Sequence, residues 1–137
     1  MIRLAILADA DAVFGLLGQL AVSFTPERAV FDRQFAALIH DDRTLLQVAE
    51  VDGLARGYAL TVVSPLLHVG GESAQLQELV VDAEHRGGGL GTELLDAVNA
   101  ACLARGVRQL VVASRRAAGF YSDRGFGSAA DYLKRVL

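Results

Sequence analysis

The chain has 137 residues, 53% of them hydrophobic and 21% charged, with a formal net charge of −3. That length and composition fit one domain over residues 1–137 with a sizeable apolar core, and they exclude a disordered chain. The acidic balance excludes the basic field that nucleic acid needs and favours a cationic small molecule over an acidic one. The single cysteine, Cys102, leaves no internal disulfide and no cysteine metal cluster.

In chain order, Ile2 to Ile6 reads as a short strand. Asp9 or Asp11 can cap a helix whose apolar stripe is Val13, Leu16, Leu17 and Leu20. Both acids interrupt the apolar N-terminus, so it does not read as a signal peptide. No run reaches the apolar length of a membrane helix, and a cytoplasmic protein is expected. Thr25-Pro26-Glu27 signals a second helix start, with Phe31, Phe35, Leu38 and Ile39 as its stripe. Residues 44–53 alternate and end in Asp52-Gly53, a hairpin signal. Residues 54–64 read as the partner strand, stopped by Pro65. Gly70-Gly71 is a turn, and Ser73 to Val81 is a third antiparallel strand.

Beyond a glycine-rich stretch, Leu90, Leu94, Leu95, Val98 and Cys102 form one helical face, closed by Arg105-Gly106. Cys102 on that stripe reads as buried filler. Val107 to Ser114 is a further strand, Arg115 to Gly125 a short helix, and residues from about 126 to 136 complete the sheet. The order is β-α-α-β-β-β-α-β-α-β. Its fold class is α/β (α+β), with a mixed, mainly antiparallel sheet flanked by helices.

Four glycines stand within the five residues Gly87-Gly88-Gly89-Leu90-Gly91, between a strand and a helix. Strand, bare turn and helix start together make a phosphate site: the free N–H groups point one way and the helix dipole adds positive charge. A tight turn without a ligand is the plainer reading, but one or two glycines suffice for that. A Walker loop needs a lysine where Thr92 follows Gly91. The dinucleotide spacing G-x-G-x-x-G fails too, because its third position falls on Thr92 or Leu94.

Arg86-Gly87-Gly88-Gly89-Leu90-Gly91 resembles the Gln/Arg-x-x-Gly-x-Gly/Ala signature of the GCN5-related N-acetyltransferases (GNAT). A second stretch, Ala117-x-x-Phe120-Tyr121-x-x-x-Gly125-Phe126, is similar to the family's A-x-x-F-Y-x-x-x-G-F, and the element order matches over nearly the whole chain. The resemblance implies one GNAT-like domain that moves an acetyl group from acetyl-CoA to a primary amine by direct transfer in a ternary complex. It implies acetyl-CoA as cosubstrate, no metal, and an amine acceptor that is a small molecule or peptide. By analogy, homodimerisation is open.

The same resemblance implies that the glycine loop, from Arg86 through Thr92, holds the pyrophosphate through backbone amides. It implies that Leu79, Val80 and Val81 face the thioester arm. Ser114 stands where the family often has Asn, so its contact to that arm is in question. Ala117 and Phe120 complete the second motif, and Tyr121 is implied as proton donor to the departing thiolate. A core tyrosine with a satisfied hydroxyl is the alternative.

Glu78 is the base candidate. On simple alternation it shares a face with Ala74, Leu76 and Val80, where a carboxylate needs a partner or a task. It could also face water, or a bulge could swap it with Gln77. Arg115 and Arg116 could reach the coenzyme's 3′-phosphate or stay solvated. His40, His68 and His85 have no second ligand at metal spacing. A non-catalytic acetyl-CoA sensor on the same fold is the runner-up, and a nucleotide-binding oxidoreductase is disfavoured by the failed spacing.

Overall fold

A computed structural model describes residues 1–20, 23–114 and 117–137. Its strands are β1 (Ile2–Leu4), β2 (Thr44–Val51), β3 (Leu54–Leu66), β4 (Gly71–Val81) and β5 (Gln109–Val112). Its helices are α1 (Ala10–Leu20), α2 (Arg28–Leu38), α3 (Leu90–Arg105) and α4 (Ala118–Ser122). The sheet order is β1-β2-β3-β4-β5. The first four strands are antiparallel, and β5 lies parallel to β4 across the α3 crossover. The β2–β3 hairpin closes on Asp52 and Gly53 with φ of 53° and 81°, the pair of left-handed residues that a two-residue turn needs.

The apolar stripes cover the two faces separately. On one face Val13 and Leu16 of α1 and Phe35 of α2 pack on Leu46, Val48, Tyr58 and Val80. On the other, Leu94, Leu95, Val98 and Cys102 of α3, with Tyr121 of α4, pack on Ala49, Ala59, Val63, Ala74 and Leu76. Cys102 is a buried core thiol, and burial pushes its pKa up.

The feature that shapes the site is a bulge in β4. Leu60 pairs with Glu78 and Thr61 with Leu76, so Gln77 is an extra residue. A bulge reverses which face the following side chains take. Ala74 and Leu76 therefore face α3, while Glu78 and Val80 face α1 and α2. Simple alternation groups Glu78 with all three; the structure keeps it with Val80 alone. The β4–β5 ladder ends at the same point. Ser73 to Leu76 pair with Gln109 to Val112, and among the described residues Gln77 to Val81 have no partner on that edge.

Three expected boundaries shift. Strand β3 runs through Pro65 to Leu66. The Val63 N–H bonds Arg43 O, toward β2; by alternation Pro65's missing N–H lies on the same side, past the end of β2, where no ladder bond is lost. Helix α2 begins at Arg28 with Glu27 as N-cap, because Glu27 O accepts the first helical bond from Phe31 N. Residues 126–137 form no strand, so among the described residues the four-residue β5 has no partner on its outer edge. Beyond Phe126, which packs on Tyr121, two side-chain hydrogen bonds tie this tail back: Gln75 Nε2 donates to Tyr132 Oη at 3.4 Å, and Lys134 Nζ to Ser23 Oγ at 2.6 Å.

Asp9 ends a short 3-10 turn, Leu7–Asp9, that leads directly into α1. Its carboxylate accepts the Ile6 N–H at 2.8 Å and two bonds from Arg3 at 2.8 Å. It anchors β1 to the start of α1 instead of capping the helix.

Candidate active site

The glycine turn follows β4. Asp82 Oδ1 accepts the Glu84 N–H at 3.4 Å, opening a short 3-10 turn, Ala83–His85. Gly87 and Gly89 then take φ of 82° and 92°, which L side chains resist. Gly89 is the N-cap of α3 and supplies no side-chain bond. The N–H groups of Leu90, Gly91 and Thr92 thus have no intrahelical acceptor, and the dipole makes this end positive. A Cβ on Gly91 would sit 3.6 Å from Phe120 Cζ and one on Gly88 3.7 Å from His85 O, both ordinary contacts. Their bareness is not needed for packing.

Beside the turn lies the unpaired edge of β4. Asp82 N bonds Arg56 O in the direction of β3. By alternation Val80 also directs its backbone groups to β3, and Leu79 and Val81 direct theirs to the open edge. Arg86 Nε donates to Val81 O at 3.1 Å, so the side chain folds back onto this edge. The open groups nearest the glycine turn are therefore the Val81 N–H and both polar groups of Leu79.

Glu78 faces α1 and α2. Its Oε1 accepts the Tyr58 hydroxyl at 2.7 Å. Burial first, then the neighbouring Glu78 charge, pushes the Tyr58 pKa far up, so Tyr58 stays a proton-bearing donor. The pair lines a pocket of about 80 Å³ between the two helices and the sheet. Tyr58 carries no motif. It is found only through the register, which sets it opposite Val80 and diagonal to Glu78.

Tyr121 lies on the opposite face. Its ring meets Phe120 and Phe126 edge-on, with centroids 5.2 and 5.6 Å apart. Burial raises its pKa, which keeps the phenol protonated at neutral pH. Ser114 Oγ accepts the Ala117 N–H at 3.1 Å, holding the start of α4. Arg124 is a residue the motifs do not mark. Its guanidinium lies 3.9 Å from the Phe120 ring centroid and gives Thr92 Oγ1 two bonds, at 3.2 and 2.7 Å. A cation is thereby held at the positive end of α3. The only sequence hint is an arginine just before Gly125; its partner Thr92 is 32 residues away. Arg115 and Arg116 lie outside the described residues.

The histidines stand apart. His85 Nδ1 is 3.2 Å from Asp82 Oδ2, while His40 and His68 are exposed. Among the described residues no three His, Cys, Asp or Glu side chains gather as a metal site. No described helix is long and apolar enough to cross a membrane.

Comparison with known proteins places this geometry. A family model described as an acetyltransferase (GNAT) domain matches residues 41–127. An amino-acid acetyltransferase of Pseudomonas syringae pv. syringae is 29% identical over 126 residues, covering 92% of this chain; the chain spans only 27% of that relative's length. The crystal structure of a transcriptional regulator from Bacillus halodurans C-125 superposes with a TM-score of 0.89 at 20% identity, covering 100% of this chain and 99% of that one. Glucosamine-6-phosphate N-acetyltransferase from Arabidopsis thaliana gives 0.86 at 22% identity, covering 99% of this chain and 97% of that one. At such identities the two structures speak for the fold alone. The mixed five-stranded sheet flanked by helices is that of the acyl-CoA N-acyltransferases.

Proposed function

The chain belongs to the GNAT acetyltransferase family, and from that premise we propose that it transfers the acetyl group of acetyl-CoA directly to a primary amine, in a ternary complex. One observation carries the reading. The β5-side edge of Gln77 to Val81, without a partner among the described residues, leads to the turn before the bare N-terminus of α3, with Glu78 on one face of the sheet and Tyr121 on the other.

Each group then has a task. The amides of the Gly87–Thr92 turn bind the pyrophosphate, and Arg124 adds a cation beside them. The open N–H groups of Leu79 and Val81 pair with the pantetheine arm and polarise the thioester carbonyl. Glu78, oriented by Tyr58, takes a proton from the acceptor's ammonium, directly or through a water, and the free amine then attacks the thioester. Tyr121 gives its proton to the departing thiolate. Cys102 is buried under α3 with a raised pKa, which speaks against a covalent acyl-enzyme.

The test is titration calorimetry of acetyl-CoA, followed by thiol release against an amine panel. Wild type should bind and release thiol with at least one amine. Gly89→Glu, which sets a side chain on a φ of 92° and a negative charge at the phosphate turn, should lose binding while still folding. Unchanged affinity in that variant would reduce the turn to a turn. Binding without turnover on any amine would make the protein a non-catalytic acetyl-CoA module.

A further inference from the structure

Resting on that reading, we propose that the acceptor is a primary amine with an apolar body and no carboxylate or phosphate beside the amine. The pocket containing Glu78 carries the argument. Of its ten lining residues seven are aliphatic or phenyl side chains, among them Phe31, Leu38 and Leu60; the other three are Gln34, Tyr58 and Glu78. Among the described residues Glu78 is thus the only charge in the wall. Tyr58 spends its single proton on Glu78 Oε1. That bond orients the carboxylate and leaves its other lone pairs to an incoming ammonium.

An anionic group next to the amine would find no cation among the described lining residues. It would meet Glu78, a like charge, in an apolar wall, with the Gln34 amide as its one remaining side-chain donor. Arg28 lies over the Phe14 and Phe31 rings at 5.3 and 5.9 Å from their centroids, but its guanidinium already pairs with Asp11 and Asp32. An unpaired anion in such a wall is strongly disfavoured, whereas an alkyl or aryl body gains by burial. The pocket is modest, about 80 Å³, and its apolar wall suits the apolar body of an amine. The acceptor class therefore differs from that named for the Pseudomonas relative, an amino acid.

Matched pairs test this: 2-phenylethylamine against L-phenylalanine, and 3-methylbutylamine against L-leucine, each pair differing by a carboxylate. Thiol release with saturating acetyl-CoA should favour the simple amine in both pairs by about tenfold or more in kcat/KM. Leu60→Trp fills the pocket and should raise KM for the amines while leaving acetyl-CoA affinity within a few-fold; Leu38→Trp on α2 serves if the strand variant does not fold. Equal or better turnover of the amino acids would overturn the inference. So would a protein that binds acetyl-CoA and acetylates neither simple amine, which leaves the coenzyme reading standing. If acetyl-CoA itself does not bind, the proposed function falls. Saturation-transfer NMR with the same pairs then decides the pocket alone, where a preference for the carboxylate-bearing partner sinks it.

Discussion

Tyr58 and Tyr121 are both buried phenols with raised pKa values, yet their surroundings assign them different work. Tyr58 has Glu78 at 2.7 Å and, on the proposed function, positions that carboxylate. Tyr121 is raised by burial alone and lies among aromatic rings near the open edge of β4. Tyr121→Phe keeps the ring and its edge-on contacts, so stability should change little. The rate with a true acceptor should fall roughly 10²–10⁴-fold, about 3–5 kcal/mol of barrier, with coenzyme affinity nearly intact. A Phe variant that retains most of its turnover where chemistry limits the rate would make Tyr121 packing. Glu78→Gln should lower kcat/KM most at low pH. There the amine is protonated and needs a base; at high pH the free amine is abundant and the loss shrinks. A pH–rate profile parallel to wild type would remove Glu78 from the mechanism. The stretch that points to Tyr121, Ala117 to Phe126, is local in the chain. Nothing local points to Tyr58, because its partner sits on the neighbouring strand.

At the scale of elements, the site depends on how closely α3 seats on the sheet. Gly57 in β3 marks the contact: a Cβ there would stand 3.0 Å from Val80 O and 3.1 Å from Leu94 Cδ1. Leu94 is fully buried in the α3 face, and Val80 O belongs to the strand backbone, so neither can move away cheaply. Gly57→Ala should cost roughly 1–3 kcal/mol through overpacking. Urea unfolding should show a lower midpoint at unchanged slope. The same strain pushes at the first turns of α3, so acetyl-CoA affinity should fall with stability. An unchanged midpoint would mean that α3 is free to lift. The stripe of α3 was readable from its spacing; the need for glycine at position 57 was not, because only strand and helix together crowd it.

Across the whole molecule, one charge cluster fastens the N-terminus to the sheet. Arg3 bonds Asp9 through both terminal nitrogens at 2.8 Å and Glu50 of β2 through Nε at 3.0 Å. The Arg3 guanidinium, first, and the Ile6 N–H hold the Asp9 carboxyl below its usual value, against burial. A depressed carboxylate contributes stability that is present above its unfolded pKa and lost as pH falls through the folded one. Asp9→Asn should therefore be less stable than wild type at neutral pH by about 1–3 kcal/mol. The two should begin to converge as pH falls below about 4, where an unfolded aspartate binds its proton, and meet only below the lowered folded value. Thermal unfolding from pH 7 to pH 3 reads this directly, and parallel losses over the whole range would acquit Asp9 of the acid limb.

The sequence by itself determined the class of fold, the two hairpins, the crossover helix and the glycine-rich turn before it. These rest on local signals: apolar periodicity, positive-φ turn residues and a run of glycines between strand and helix. It did not determine which face Glu78 takes. That depends on one extra residue, Gln77, and a bulge becomes visible only when β3 supplies the register. The sequence also predicted a closing strand over residues 126–136, where the tail instead runs free of the sheet and is held by Tyr132 and Lys134. Tertiary structure alone decided that β4 parts from β5 beyond Leu76, that Tyr58 holds Glu78, and that Arg124 reaches Thr92. In each case the physical reason is the same. The partners are distant in the chain, and the free energy that joins them comes from packing the sheet between two layers of helices, which no short window of sequence contains.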